Sequence, residues 1–423
     1  MNLIGKRISL VFIGKVVSYL ITILIAYQCS NIYGTEYYGK LVYVITLSHI
    51  LSSFFTFGIS NKIEKLVFVE DDKTVITSIL KEKFFLCFVI SISLCFFSIF
   101  LYSIFNTIFS LTYDLITLIG ITIAVIRTFL LVTIRALRSV KNYKLYALGE
   151  IPNQILFLIL ISYINFEFYR VISVLTLTWI LSLVIYLTLL FNKYNSNVKI
   201  KWKNLINSKS DLKEQFQVML NSNMVLLGEN LPVFILRNFD YNLVGIFDIL
   251  KKLTSLPVFI LPVTNSIIGP YSLSYFKQKR YLEFEKLALS VSKISLLLSI
   301  LYFLVIIYDI NVSSMIFDFF NIEKNLFINK AIYFLILGFL IHVVSGANNL
   351  ILNLNNCEGS LLRTNFLGIV IFLTIILISP LYFNDSHLIN VCFSMLIYYV
   401  FVNYRNLHIV KKNFGIKMSI LQI

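Results

Sequence analysis

Long apolar runs separated by short polar connectors fill this 423-residue chain. A helix rises about 1.5 Å per residue, so roughly 20 apolar residues cross a hydrocarbon core about 30 Å thick. Windows of that kind fall at 8–29, 41–60, 84–105, 113–134, 150–167, 171–191, 216–236, 243–268, 290–310, 330–352, 364–383 and 387–408. They predict an all-α polytopic membrane protein with about 12 transmembrane helices. The fifth window is the weakest, because Pro152, Asn153 and Gln154 shorten its apolar part. The longest connector, 193–215, divides the chain into an N-terminal set of six, 1–192, and a C-terminal set of six, 216–423. An even number of spans per half makes the halves parallel, related by an axis along the membrane normal. A short echo fits a duplication: EYYGKLVY after the first window resembles NLVGIFDI after the seventh, with Gly39 and Gly245 in corresponding places.

Charge supports the layout and sets its direction. The chain is 58% hydrophobic and only 13% charged, with mean hydropathy +0.85, whereas a soluble domain is near a quarter charged. Twenty-six Lys and Arg fall in connectors on one side of the windows and five on the other. Positive loops stay in the cytoplasm, which places both termini there. The net charge of +15 therefore reads as orientation, and nucleic acid is not an expected partner. The long first apolar run lacks a small-residue cleavage site and is read as a retained span. Cys29, Cys87, Cys95, Cys357 and Cys392 are scattered singly, without the spacing of a disulfide framework or zinc site. The mixed, basic stretch 271–294 reads as an amphipathic helix drawn to anionic membrane lipid, or as a solvated connector.

Charges inside the windows are few: Lys15, Arg127, Lys251, Lys252 and Lys293 against Glu229 and Asp248. Each costs roughly 2.5–3.5 kcal/mol on insertion scales, so such residues usually face a bundle interior or a wet cavity. With Asp240 as the turn between windows seven and eight, Glu229 and Lys251 lie eleven residues to either side, at similar depth, and are placed to pair across the hairpin. Asp248 and Lys252 are four apart and share a helical face. Two readings stay open, a transport path and a structural ion pair. Arg127 and Arg138 are about 20° apart on the helical wheel, with Lys141 close by. A guanidinium at Arg127 suits a phosphate or pyrophosphate, which it holds bidentately; snorkelling to the inner interface is the other reading for Arg127 and for Lys15. Pro232, Pro257 and Pro262, with Gly228 beside Glu229, loosen helices where the charges lie. Enzyme motifs are missing: there is no HExxH, Walker or GxSxG pattern, no sugar-nucleotide aspartate pair, and His49, His342, His387 and His408 stand alone. The adjacent Asp71 and Asp72 read as solvated loop. No metal or cofactor is expected, and the chain reads as a non-enzyme.

Five segments, at corresponding places along nearly the whole chain, carry a family resemblance: IYGTEYYGKL at 32–41, FGISNKIEK at 57–65, RALRSVKNYKLYALGE at 135–150, VGIFDILKKLTSLPVFILPVTNSIIGPYSLSYFKQ at 244–278 and LNNCEGSLLRTNFLGIVI at 354–371. By them the chain resembles the polysaccharide-transporter branch of the multidrug/oligosaccharidyl-lipid/polysaccharide (MOP) exporter superfamily, the O-antigen and lipid-linked oligosaccharide flippases. The resemblance implies two six-helix lobes around a central cavity, in a bacterial cytoplasmic (inner) membrane. It implies movement of an undecaprenyl-pyrophosphate-linked oligosaccharide from the cytoplasmic to the periplasmic leaflet by lobe rocking. Lys15, Glu229, Asp248, Lys251 and Lys252 map onto cavity positions; the family often has arginine where Lys15 stands.

The expected function is thus a flippase, with Lys15, Arg127, Lys251 and Lys252 on the substrate and Glu229 and Asp248 as candidate carriers of a coupling proton or sodium ion. Expected partners are the lipid-linked oligosaccharide, membrane lipid, and polysaccharide polymerase and chain-length proteins. The rivals are an ion-coupled drug exporter of the same fold and a polysaccharide polymerase or ligase. Five bases against two acids within spans argue for an anionic substrate, and the short outer loop Asp309–Asn329 argues against a polymerase.

Overall fold

In a computed structural model, residues 2–60, 72–108, 115–140, 143–163, 167–193, 209–259, 280–346, 348–354, 357–383 and 386–422 are described, with a few single positions between them. Each predicted window holds a helix, and no strand occurs among the described residues. The twelve are α1 (Asn2–Tyr33), α2 (Thr35–Phe55), α3 (Lys73–Ile108), α4 (Leu115–Ser139), α5 (Ile151–Ile161), α6 (Phe168–Lys193), α7 (Lys209–Arg237), α8 (Tyr241–Ser255), α9 (Tyr281–Tyr308), α10 (Leu326–Val344), α11 (Glu358–Ile378) and α12 (His387–Phe414). Nine of them are long and apolar enough to cross a membrane; α2, α5 and α8 are the remaining three.

Four windows differ from their expected form, each for a local reason. α5 has 11 residues, with Pro152 in its first turn. α8 stops at Ser255 and passes into a 3-10 turn at Leu256–Phe259, where Pro257 brings no N–H to continue the ladder; Pro262 lies outside the described residues. The tenth window breaks at Gly346, whose φ of 72° suits glycine, and resumes as the short helix Asn348–Leu354. Residues 281–294, expected as part of a separate surface helix, are the first turns of the continuous α9. Among the connectors, Asp72 receives hydrogen bonds from the Thr74 N–H and hydroxyl at 2.8 Å each, which holds its carboxyl below the usual range.

The chain forms two compact units, Met1–Gln28 with Lys40–Asn223, and Cys29–Gly39 with Met224–Ile423. The boundary falls at Asn223 inside α7, beyond the connector expected to divide the chain, and the end of α1 joins the second unit. In the first unit α4 packs against α3 and α6, and α5 lies on α6. Phe55, Cys95, Ile121 and Ala124 form a core cluster there. In the second, α12 is central and packs against α10 and α11. The segment after α12 folds back beneath it: Ile416 and Met418 join Phe284, Leu352 and Leu407 in a buried cluster. The Ser419 and Ser292 hydroxyls both donate to the Val344 carbonyl at 2.7 Å.

α9 shows which solvent this packing assumes. It buries Ser292, Ser295 and Ser299 and turns Leu297 (60% exposed), Leu301 and Val305 outward. In water that arrangement would be inverted. In lipid, small residues let helices approach while large apolar ones face the tails. Replacing Ser295 with Leu is expected to lower stability by about 1–3 kcal/mol through overpacking. Leu301→Ala, on the outward face, should stay within about 0.5 kcal/mol; thermal unfolding in detergent micelles compares the two.

Candidate functional site

α8 begins where the Asp240 carboxylate accepts the Asn242 N–H at 2.9 Å. Its apolar face buries Val244, Phe247 and Leu250, while Asp248, Lys251 and Lys252 stay half-buried. Asp248 and Lys252 pair across one turn, as their spacing predicts. Tyr38 completes the group. Its hydroxyl donates to the Asp248 carboxylate and accepts from Lys252 Nζ at 2.8 Å. The ammonium therefore meets one carboxylate and one phenol oxygen, which replace part of its hydration.

Two glycines bring Tyr38 within reach. A Cβ on Gly39 would strike the Tyr241 carbonyl, and one on Gly245 would strike the Thr35 carbonyl. The contact is reciprocal, since Tyr241 stands four residues before Gly245 and Thr35 four before Gly39. Thr35 also donates its hydroxyl to the Asn242 side-chain carbonyl. The two glycines of the sequence echo thus face one another, main chain on main chain.

Lys251 does not form the expected pair with the Glu229 carboxylate. Its Nζ donates to the main-chain carbonyl of Glu229 at 2.9 Å and to Asn230 Oδ1 at 3.2 Å. Pro232, inside α7, has no N–H and crowds the turn before it, so a carbonyl of that turn takes a side-chain donor instead. The acid is left with uncharged neighbours. Among the described residues its carboxylate accepts no hydrogen bond, and it acts electrostatically on Lys251, His342, Tyr398 and Tyr399. A Cβ on Gly228 would strike the Tyr398 hydroxyl, so α12 crosses α7 one residue from the acid. These partners were not legible in the sequence, being lone residues on separate helices; Tyr38, Tyr398 and Tyr399 were not singled out at all.

The first unit holds the other predicted cations. Lys15 is exposed on α1, with Nζ 6.0 Å from the Tyr146 ring centre. One turn on, Ser18 donates to Gln154 Oε1 at 2.8 Å, and Gln154 Nε2 reaches Thr22 at 3.4 Å. Arg127 was expected to present its guanidinium to a substrate. It is instead 8% exposed and lies over the Trp179 ring at 4.8 Å, with Nε unpartnered. Packing of α4 on α6 encloses it, and a desolvated cation–π contact contributes about 2 kcal/mol. The Arg138 side chain and Lys141 lie outside the described residues. Lys293 is exposed on α9. Among the described residues no three His, Cys, Asp or Glu side chains gather as metal ligands.

No protein-family profile matches the chain, and no curated protein matches it. Solved structures do. An inward-facing multidrug resistance MATE family transporter of the MOP superfamily superposes with TM-score 0.72 at 14% identity, over 94% of both chains. The MATE multidrug transporter DinF-BH, in complex with rhodamine 6G, gives 0.67 at 14% identity over 98% of this chain and 97% of that one. A MOP superfamily transporter from Pyrococcus furiosus, described by the reverse polarity of its binding pocket, gives 0.67 at 15% identity over 97% and 95%. The fold is that of the MATE transporters. It accommodates all twelve helices, so the unexpected breaks at Pro257 and Gly346 are details within a MATE-like chain.

Two predictions concern how the charges are held in this MATE-like fold. Gly39→Ala and Gly245→Ala each force main chain from main chain and should each cost about 1–3 kcal/mol in thermal unfolding. Arg127→Met removes a buried charge at nearly constant volume and should leave stability within about 1 kcal/mol or raise it. Trp179→Ala should lower it by about 3–5 kcal/mol.

Proposed function

We propose that this chain is a membrane transporter that moves undecaprenyl-pyrophosphate-linked oligosaccharide, an O-antigen or capsule repeat unit, from the cytoplasmic to the periplasmic leaflet of a bacterial cytoplasmic membrane by alternating access. The observation that supports an anionic cargo is the state of the cations. Among the described residues, Lys15 and Lys251 have no carboxylate within ion-pair distance; Lys251 is bonded to neutral oxygens only, and Lys15 stands beside an aromatic ring. An ammonium that keeps its charge uncompensated in a low-dielectric setting attracts a phosphate strongly. The head group's two phosphates would meet such cations while the polyprenyl tail stays in lipid, which lowers the cost of carrying charge through hydrocarbon.

Lys252 has a different task in this reading. It is neutralised by Asp248 and Tyr38 and changes partner only if Asp248 takes up an ion. Asp248 and Glu229 are then the acids that couple transport to a proton or sodium gradient. Polymerase and chain-length proteins would receive the product on the outer face.

A second reading, an ion-coupled drug exporter, draws support from the likeness to multidrug transporters. Purified protein in proteoliposomes decides between them, with a fluorescent undecaprenyl-pyrophosphate oligosaccharide and the cation rhodamine 6G as probes. The flippase reading expects movement of the lipid and a loss of about tenfold or more in Lys15→Ala and Lys251→Ala, equivalent to about 1.4 kcal/mol or more. Transport of rhodamine 6G with no movement of the lipid would favour the exporter.

A further inference from the structure

α12 carries three residues that connect two otherwise separate titratable groups. Tyr398 lies against Gly228, beside Glu229; Tyr399 lies 5.2 Å from the His342 ring, centre to centre; and Asn403 Oδ1 is 3.3 Å from His342 Nδ1. The orientation of Asn403 is set by its other contacts. Its Nδ2 donates to the Tyr399 carbonyl at 2.8 Å, and its Oδ1 accepts the Ser345 hydroxyl at 2.7 Å. A flipped amide would press oxygen on oxygen at Tyr399, so Oδ1 faces His342 and can only accept. His342 Nδ1 must therefore carry the hydrogen. In the neutral ring Nε2 is left with a free lone pair, and the hydrogen bond on one nitrogen has defined the basicity of the other.

The charged groups acting here are few. From α7 comes Glu229, whose carboxylate acts on His342, Tyr398 and Tyr399. From α8 comes Lys251, which acts on Glu229 but donates its hydrogens to other oxygens. α12 contributes the two tyrosines. A carboxylate with no hydrogen-bonded partner among the described residues and an imidazole with one free basic nitrogen are a proton acceptor pair.

We propose that Glu229 and His342 form the proton-carrying pair of the second unit, with Asn403 as the residue that positions His342 to take up its proton at Nε2. This rests on the transporter reading and deepens it, selecting a proton over sodium and Glu229 over Asp248. Uptake of one proton converts a carboxylate and a neutral imidazole, net charge −1, into a neutral pair, either as carboxylate with imidazolium or as carboxylic acid with imidazole. Loss of that proton restores the charge. Asp248 is unsuited to the same role because Lys252 and Tyr38 already occupy its carboxylate.

The test uses the full chain in lipid nanodiscs with nitrogen-15 ring-labelled histidine, titrated from about pH 5 to 9, where imidazole chemistry falls. The His342 signal is identified by its loss in His342→Gln. The neutral ring should show hydrogen on Nδ1, the wild-type and Glu229→Gln titration curves should separate, and Asn403→Leu should mix the two tautomers. Hydrogen on Nε2 in the wild-type protein, or superimposable curves in wild type and Glu229→Gln, overturns the proposal. Should Asn403→Leu not fold, the other two comparisons still decide. None of these readouts needs a transported substrate, so a failed oligosaccharide assay and a failed histidine assay are distinguishable. If rhodamine 6G or the labelled lipid is moved, a pH gradient should accelerate it by about tenfold and His342→Gln should abolish that gain. Acceleration by sodium alone would overturn the assignment.

Discussion

An ammonium group withdrawn from water loses several kcal/mol of hydration unless oxygens take its place, and the second unit is arranged around meeting that demand twice. Lys252 is met by a carboxylate and a phenol, Lys251 by a main-chain carbonyl and an amide. The difference matters more than the likeness. The first solution cancels the charge and the second merely solvates it, so neighbouring residues on one helix present a neutral cluster and a net cation. Pro232 makes the second solution available, by disturbing the hydrogen-bond ladder of α7 at the turn that holds Glu229.

Much of this architecture was legible in the chain itself. Hydrophobic windows located every helix, because a bilayer demands long apolar runs whatever their sequence. The Asp248 and Lys252 pair followed from helical periodicity. Windows predicted length less well than position, since hydropathy does not register a break at Pro257 or Gly346 inside an apolar run. Pairing across the hairpin was misjudged for Glu229 and Lys251: equal depth puts two groups side by side, but it does not decide whether a carbonyl competes for the ammonium. Arg127 was read from its wheel position alone, and packing over Trp179 is invisible at that level. His342 and Asn403 are 61 residues apart, beyond any motif spacing, so an isolated histidine gave no sign of its partner.

The polar residues of the second unit also differ in kind from those of a soluble core. α12 buries Asn390, Ser394, Asn403 and Asn406 along one helix, and α9 buries three serines. In water such a seam would be a liability. Against lipid tails, which cannot compete for hydrogen bonds, amide and hydroxyl groups on facing helices have nowhere better to go. The helices are held by directional contacts where a soluble protein would use apolar ones, and a titratable ring is accommodated at His342 among neighbours that already form hydrogen bonds.

The reciprocal contact at Gly39 and Gly245 bears on how such a chain arises. Each segment offers the other a glycine and, one turn earlier, the carbonyl that rests on it. A surface that matches its own copy in this way is isologous, the relation two identical subunits make about a two-fold axis. A six-helix ancestor with one such glycine would have closed the same joint as a homodimer. Gene fusion would then have had only to supply the tether, after which the two copies were free to diverge everywhere except at the point where neither can tolerate a side chain.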